Sequence, residues 1–261
     1  MRFFRKKMSA NLPEISQDTI DIALLNIIKE EAPLTSPRLW INRMEFTSRA
    51  AALNAQKRLD RNSWIQQYQL TQFARGRDDW MLTLWSVTAI DSGVILDTHA
   101  YLDMIAKGSG GKFVGWEVSL EAAIRDVDNP DYYPQPCLGY QIPGDKRYME
   151  ESRRLGSRLL DRARVTAGSF DAVCGAFENL RTRRSPHALR QGIGVLLGDT
   201  LVKDLPLVWM AYREYGGFYP AILGLEKANL YYPENLVAMA LDEERELREV
   251  VKENVAEAEV Y

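Results

Sequence analysis

The chain has 261 residues, 46% of them hydrophobic and 26% charged, with a formal net charge of −3. That length exceeds a usual single domain of about 100–150 residues and points to two domains, each able to bury a core. The small net charge argues against a strongly basic nucleic-acid binder and against an acidic solvating tail.

The start reads M-R-F-F-R-K-K-M, basic, but the polar run S-A-N-L-P-E-I-S-Q-D follows it. A signal peptide needs an apolar run of about 7–15 residues there, and no apolar stretch approaches the ~20 residues that span a bilayer. The expected location is the cytoplasm, with no membrane partner. Two cysteines, Cys137 and Cys174, fit a reduced compartment. With no C-x-x-C and only His99 and His187 as imidazoles, tetrahedral metal ligation is not expected, and no cofactor is.

In chain order, residues 17–30 read as a helix with Ile20, Leu24, Ile27 and Ile28 on one face. Residues 38–46 alternate, placing Trp40, Met44 and Phe46 on one side of a half-buried strand. Thr47 or Ser48 caps the next helix, where Ala51, Ala55 and Leu59 recur at helical spacing. A strand over 64–70, a polar turn over 75–79 and a strand over 80–90 follow. Asp91 or Ser92 opens a second helix carrying Ile95, Leu102 and Ile105. It ends at Gly108-Ser109-Gly110-Gly111, where glycine permits a left-handed cap. A strand over 113–118 completes the set. The order β-α-β-β-α-β within about 80 residues predicts a ferredoxin-like sandwich, four antiparallel strands with both helices on one face.

Residues 38–118 also resemble the RraB family, protein regulators of ribonuclease E. The likeness rests on Phe46 and the alanine-rich helix after it, and on Trp80-Met81-Leu82 opening the third strand. Most distinctive is Gly110-Gly111-Lys112-Phe113-Val114-Gly115-Trp116-Glu117, which looks like that family's G-x-Y-D-G-W segment with Phe113 and Val114 in place of Tyr-Asp. The resemblance implies a non-catalytic regulator that binds and inhibits a nuclease. RraB-type regulators are strongly acidic, whereas Lys and Arg nearly balance Asp and Glu over residues 1–125 here. A shared fold with a different partner is therefore compatible with the likeness.

Residues 126–145 carry four prolines, so no regular element is expected through them. They read as a Pro-rich linker laid against one domain by Tyr132, Tyr133 and Tyr140, separating an RraB-like domain over 1–125 from a second over 146–261. The second domain starts with helices over 147–165, 169–181 and 187–205. Strands over 207–212 and 218–225 then flank Glu214-Tyr215-Gly216-Gly217 as a hairpin. A short strand over 229–232 and a helix from Pro233 close the chain. This half resembles a bacterial domain family of unknown function, on Gly194, Leu197-Gly198-Asp199, Leu205-x-Leu207-x-Trp209, Glu214-Tyr215-Gly216 and Tyr232-Pro233. That likeness implies no activity. The expected class is α+β, a ferredoxin-like sandwich followed by a mainly helical domain whose small antiparallel sheet places Trp209 beneath the helices.

The motifs that suggest chemistry have plainer readings. In the segment Gly108 to Lys112, Ala106 and Phe113 stand where the Walker pattern needs a glycine and a hydroxyl. The spacing of Gly192, Gly194 and Gly198 is one residue too long for a dinucleotide loop and suits close helix packing. Cys174 lies on an apolar helix face with Phe170, Val173 and Phe177, so a nucleophile–base pair with His187 is not expected. Asp78-Asp79, Glu150-Glu151 and Asp242-Glu243-Glu244 read as solvated carboxylates. No catalytic residue is assigned, and the chain is expected not to be an enzyme. The clearest charge asymmetry is Arg181-Thr182-Arg183-Arg184, below Arg153, Arg154, Arg158, Arg162 and Arg164. No aromatics interleave with these arginines, as nucleic-acid stacking requires, so Arg181, Arg183 and Arg184 are read as a protein contact. The expected partner is another protein, a nuclease or a toxin enzyme; the alternative to a nuclease regulator is an immunity protein or antitoxin that blocks a toxin.

Overall fold

The computed structural model describes residues 15–73, 79–122, 136–166, 168–214 and 217–256. Its first elements are α1 (Gln17–Glu31), β1 (Arg38–Phe46), α2 (Arg49–Leu59), β2 (Gln67–Gln72), β3 (Trp80–Thr88), α3 (Ser92–Gly108), β4 (Gly111–Ser119) and β5 (Cys137–Gly139). Then come α4 (Pro143–Ala163), α5 (Phe170–Leu180), α6 (Pro186–Asp204), β6 (Leu207–Glu214), β7 (Gly217–Gly224) and β8 (Leu230–Tyr231). The described chain closes with α7 (Pro233–Asp242) and α8 (Leu247–Val251), which runs into a π-helical turn at Lys252–Ala256. The class is mixed α/β, with eight strands hydrogen-bonded in the order β2-β3-β1-β4-β5-β6-β7-β8.

The chain forms two compact units. A β-rich unit comprises Leu24–Lys146 and Met210–Tyr219. A helical unit comprises the described residues of Met1–Ala23, Arg147–Trp209 and Pro220–Tyr261.

In the β-rich unit, local signals set the helix ends. The Ser48 hydroxyl accepts from the Ala51 amide and the Asp91 carboxylate from the Val94 amide, each filling a donor the first turn leaves open. Gly110, at φ 78°, turns the chain out of α3. Strand β1 is central, antiparallel to β3 on one side and β4 on the other, with β2 beyond β3. Alternation puts Met44 and Phe46 in one core with Leu82 and Leu84 of β3, Ala52, Ala55 and Leu59 of α2, and Leu102 and Ile105 of α3. Each large aliphatic side chain buried there stabilises the fold by about 1.5–3 kcal/mol. Gly115 stands at a bulge, where the β1–β4 register shifts after Arg43. Its φ of 136° and the ring of Tyr140, 2.6 Å from where a Cβ would sit, both demand glycine.

Several sequence expectations need correction. The sheet does not stop at four strands, because the outer edge of β4 is taken by β5, with Glu117 opposite Gly139 and Ser119 opposite Cys137. β5 then pairs with β6, Cys137 facing Arg213. Residues 137–139 are therefore a strand, and all three are buried. Tertiary pairing overrides the prolines around it, since the Pro136 carbonyl still accepts from the Leu120 amide. The linker's other end is helix, as α4 begins at Pro143, a residue suited to a first helical position because no amide is needed there. Residues 126–135, with Tyr132 and Tyr133, lie outside the described residues, as does most of the 75–79 turn. Trp64 belongs to a turn before β2 rather than to the strand, and stacks on Trp40 at 5.9 Å.

The helical unit buries α5 residues Phe170, Val173, Cys174 and Phe177 with Leu189, Ile193, Leu197 and Leu201 of α6 and Val237 and Ala240 of α7. The glycines of α4 and α6 act as packing surface. The Gly192 carbonyl would meet a Cβ on Gly156 at 2.5 Å, and the Glu234 backbone would meet one on Gly194 at 2.9 Å. The indole of Trp209 lies on Gly198, 2.2 Å from where a Cβ would stand, and its Nε1 donates to Asp199 at 3.1 Å. Trp209 thus packs against α6. Tyr215 and Gly216 of the expected hairpin lie outside the described residues.

Candidate protein-binding surface

Helix α3 carries two apolar faces. Ile95, Leu102, Ile105 and Ala106 are buried, while Val94 and Met104 stand 38% and 55% exposed. Val94, Asp97, Tyr101 and Met104 follow one another at i, i+3, i+7 and i+10, which is a single stripe along the outer side. Asp97 is exposed between the apolar ends, Asp91 lies at the N-cap, and Asp103 pairs with Lys107 at 2.6 Å. Tyr101 is fixed by the Asn62 amide, which donates to its hydroxyl at 3.1 Å. A lone exposed apolar residue is ordinary. Two on one stripe on either side of an exposed carboxylate, Asp97, can anchor a partner that offers apolar pockets and a positive charge between them.

The three arginines singled out in the sequence divide. Arg181 is spent within the unit, donating from Nη1 to the Arg245 carbonyl at 3.2 Å and pairing through Nε with Glu178 at 3.3 Å. Arg183 and Arg184 are exposed in the turn before α6.

The nucleophile and imidazole candidates are not brought together. Cys174 is buried in the α5 core, and desolvation pushes its thiol up to about 12, so it remains protonated and inert near neutrality. Cys137 is buried in β5. His187 is exposed at the start of α6, while the His99 ring packs 4.7 Å from Phe113. Among the described residues no group of His, Cys, Asp and Glu is placed to hold a metal ion, and no helix is long and apolar enough to cross a membrane.

Sequence reading missed the groups that interact most strongly. Glu117 is fully buried on β4 and bridges two arginines: Arg43 Nη2 lies 2.5 Å from Oε1, and Arg213 Nη1 bonds Oε2. The other arm of Arg213 reaches Asp145 in the first turn of α4, whose carboxylate also accepts from the Ile142 amide at 2.8 Å. Burial raises the Asp145 carboxyl, against Arg213 and that amide, which lower it. Strand alternation would place Glu117 on the face opposite Trp116 and Val118, so nothing local marks it as buried; both faces are covered there. Its partners, far along the chain, could not be read from spacing. A largely buried set of this kind fixes geometry.

No protein-family model and no curated protein matches the chain. A solved structure from Bacteroides thetaiotaomicron VPI-5482 is similar over 85% of this chain and 85% of its own, at 9% identity and a TM-score of 0.41.

A second polar cluster lies in the helical unit, where the Tyr148 hydroxyl donates to Glu234 at 3.0 Å and Gln191 donates to Ser152 at 3.1 Å. Burial holds the Glu234 carboxyl above the usual carboxylate range, opposed by Tyr148, Arg190 and His187. Raised above its unfolded value, this group binds its proton more tightly in the folded chain, so its contribution falls as pH rises through that window. Glu234→Gln is therefore expected to gain stability relative to wild type as pH climbs from the ordinary carboxylate range towards neutrality. Thermal midpoints of both proteins across that range check the sign.

Proposed function

We propose that this chain is a non-catalytic, cytoplasmic regulator that binds a nuclease of the ribonuclease E type and inhibits it. The observation that carries the reading is the outer stripe of α3, where exposed Val94 and Met104 flank exposed Asp97, with Asp91 at the N-cap. Surfaces that handle RNA are lined by Lys and Arg, and Asp97 between two apolar anchors offers such a surface one local contact of opposite charge, although the half as a whole is nearly balanced. The strand order β2-β3-β1-β4, with α2 and α3 sharing one core, supports a ferredoxin-like sandwich over residues 38–118. The segment resembling the RraB pattern forms the turn after α3 and most of β4, so the likeness and the exposed stripe adjoin. The buried carboxylates support the same reading, since Glu117 and Asp145 are engaged by arginines.

The test is to replace His99, His187, Cys137 and Cys174 by Ala one at a time and measure inhibition of purified ribonuclease E. Each folded variant is expected to inhibit as wild type does, because binding interfaces rest on packed anchors rather than on one titratable group. A folded variant that binds the nuclease normally yet loses all effect would instead indicate chemistry carried by that residue.

A further inference from the structure

At the end of the strand order, in the helical unit, an open groove of about 470 Å³ lies between β8, the start of α7 and the π-helical turn. That volume is in the range of ligand-sized clefts. Asn229, Asn235 and Asn254 line it together with Leu230, Leu236 and Met239, and among the described residues no charged side chain does. The Asn229 amide nitrogen donates to the Tyr231 hydroxyl at 3.2 Å and that of Asn254 to the Val250 carbonyl at 2.8 Å. With these donors engaged, each carboxamide oxygen is available as an acceptor.

The backbone adds a matching pair. The Gly224 amide donates to the Asn229 carbonyl, and Ile222 stands opposite Tyr231 in the same antiparallel ladder. Hydrogen-bonded pairs alternate in such a ladder, so the N–H and C=O of Leu230 point away from β7, off the end of the sheet. Two further features frame the groove. Ala228, just before Asn229, holds a φ of 50°, and Asn254 sits in the π-helical turn; both are geometries that cost energy and recur at functional positions.

We propose that this groove binds an extended, uncharged peptide segment of a partner protein by strand addition to β8. One outward amide and one outward carbonyl at Leu230 suit a peptide backbone. The asparagine oxygens accept from further amides of the segment, and Leu236 and Met239 take one apolar side chain. The described lining is neutral, which suits an uncharged segment. This site is independent of the α3 stripe, so either can fail without the other.

The experiment is an NMR titration of the full, isotope-labelled chain with an end-capped peptide of alternating threonine and leucine. A second peptide carries N-methyl groups on alternate amides. The amide signals of Leu230, Asn229 and Asn254 are expected to move with the first peptide, and the N-methylated peptide to bind at least about tenfold more weakly. Asn254→Ala is expected to weaken binding about three- to tenfold, as the loss of one neutral hydrogen bond does, with the other signals of the free chain unchanged. Equal binding of both peptides, or no shift at millimolar peptide, overturns the proposal. So does a response at these residues to a neutral disaccharide in place of the peptide.

Discussion

Replacing Glu117 by Ala is expected to destabilise the β-rich unit by about 3–5 kcal/mol, because it removes the buried carboxylate on which two largely buried guanidinium groups converge. Arg43 and Arg213 are only 12% and 13% exposed, and both direct a guanidinium at this one carboxylate. Arg213 keeps Asp145, whereas Arg43 loses its 2.5 Å ion pair with Glu117. Arg153→Ala provides the contrast. Its bidentate pair with Asp199 is well formed, at 2.8 Å for both bonds, yet the side chains are 41% and 31% exposed. Solvent screening limits that pair to about 1 kcal/mol or less. Urea unfolding gives the two magnitudes, and hydrogen exchange at the β4 amides places the larger one in the β-rich unit. A loss below about 1 kcal/mol for Glu117→Ala would mean the quartet is not closed in solution.

Met104→Arg is expected to weaken nuclease binding by roughly thirtyfold or more, the scale of a central anchor worth about 2 kcal/mol. The substitution removes an apolar side chain and sets a positive charge against a basic partner, so contact area and electrostatic match are both lost. Asp97→Lys changes charge alone, and its effect should fall mainly on the association rate and diminish at high salt. Both positions are exposed, so the folded chain should retain wild-type stability within about 0.5 kcal/mol. Surface-immobilised nuclease with the chain in flow separates the two rates. Equal dissociation rates for wild type and Met104→Arg would remove α3 from the interface.

What was legible in the sequence was local. Ser48, Asp91, Ser169 and Ser185 each sit where a helix begins, and each accepts an amide from three residues on. The inward arcs of α3, α5 and α6 were visible because helical periodicity is set by the chain itself. The outer α3 stripe was legible on the same grounds, since Val94 and Met104 fall outside the arc of Ile95, Leu102 and Ile105. β5 could not be read locally, because its three residues become a strand only when β4 and β6 lie on either side. The start of α4 was missed for a related reason: Pro143-Gly144-Asp145 looks like loop until the Asp145 carboxylate accepts the Ile142 amide. The Arg43, Glu117, Arg213 and Asp145 set joins residues from β1, β4, β6 and α4, and no spacing rule connects them.

The most direct test of the regulatory reading is cleavage of a defined RNA by purified ribonuclease E from the same cell, with increasing amounts of this chain. Cleavage is predicted to fall towards zero as the chain reaches equimolar amounts, and to recover when Met104→Arg replaces wild type. Undiminished cleavage at a large molar excess, with no complex on size-exclusion chromatography, would contradict the account.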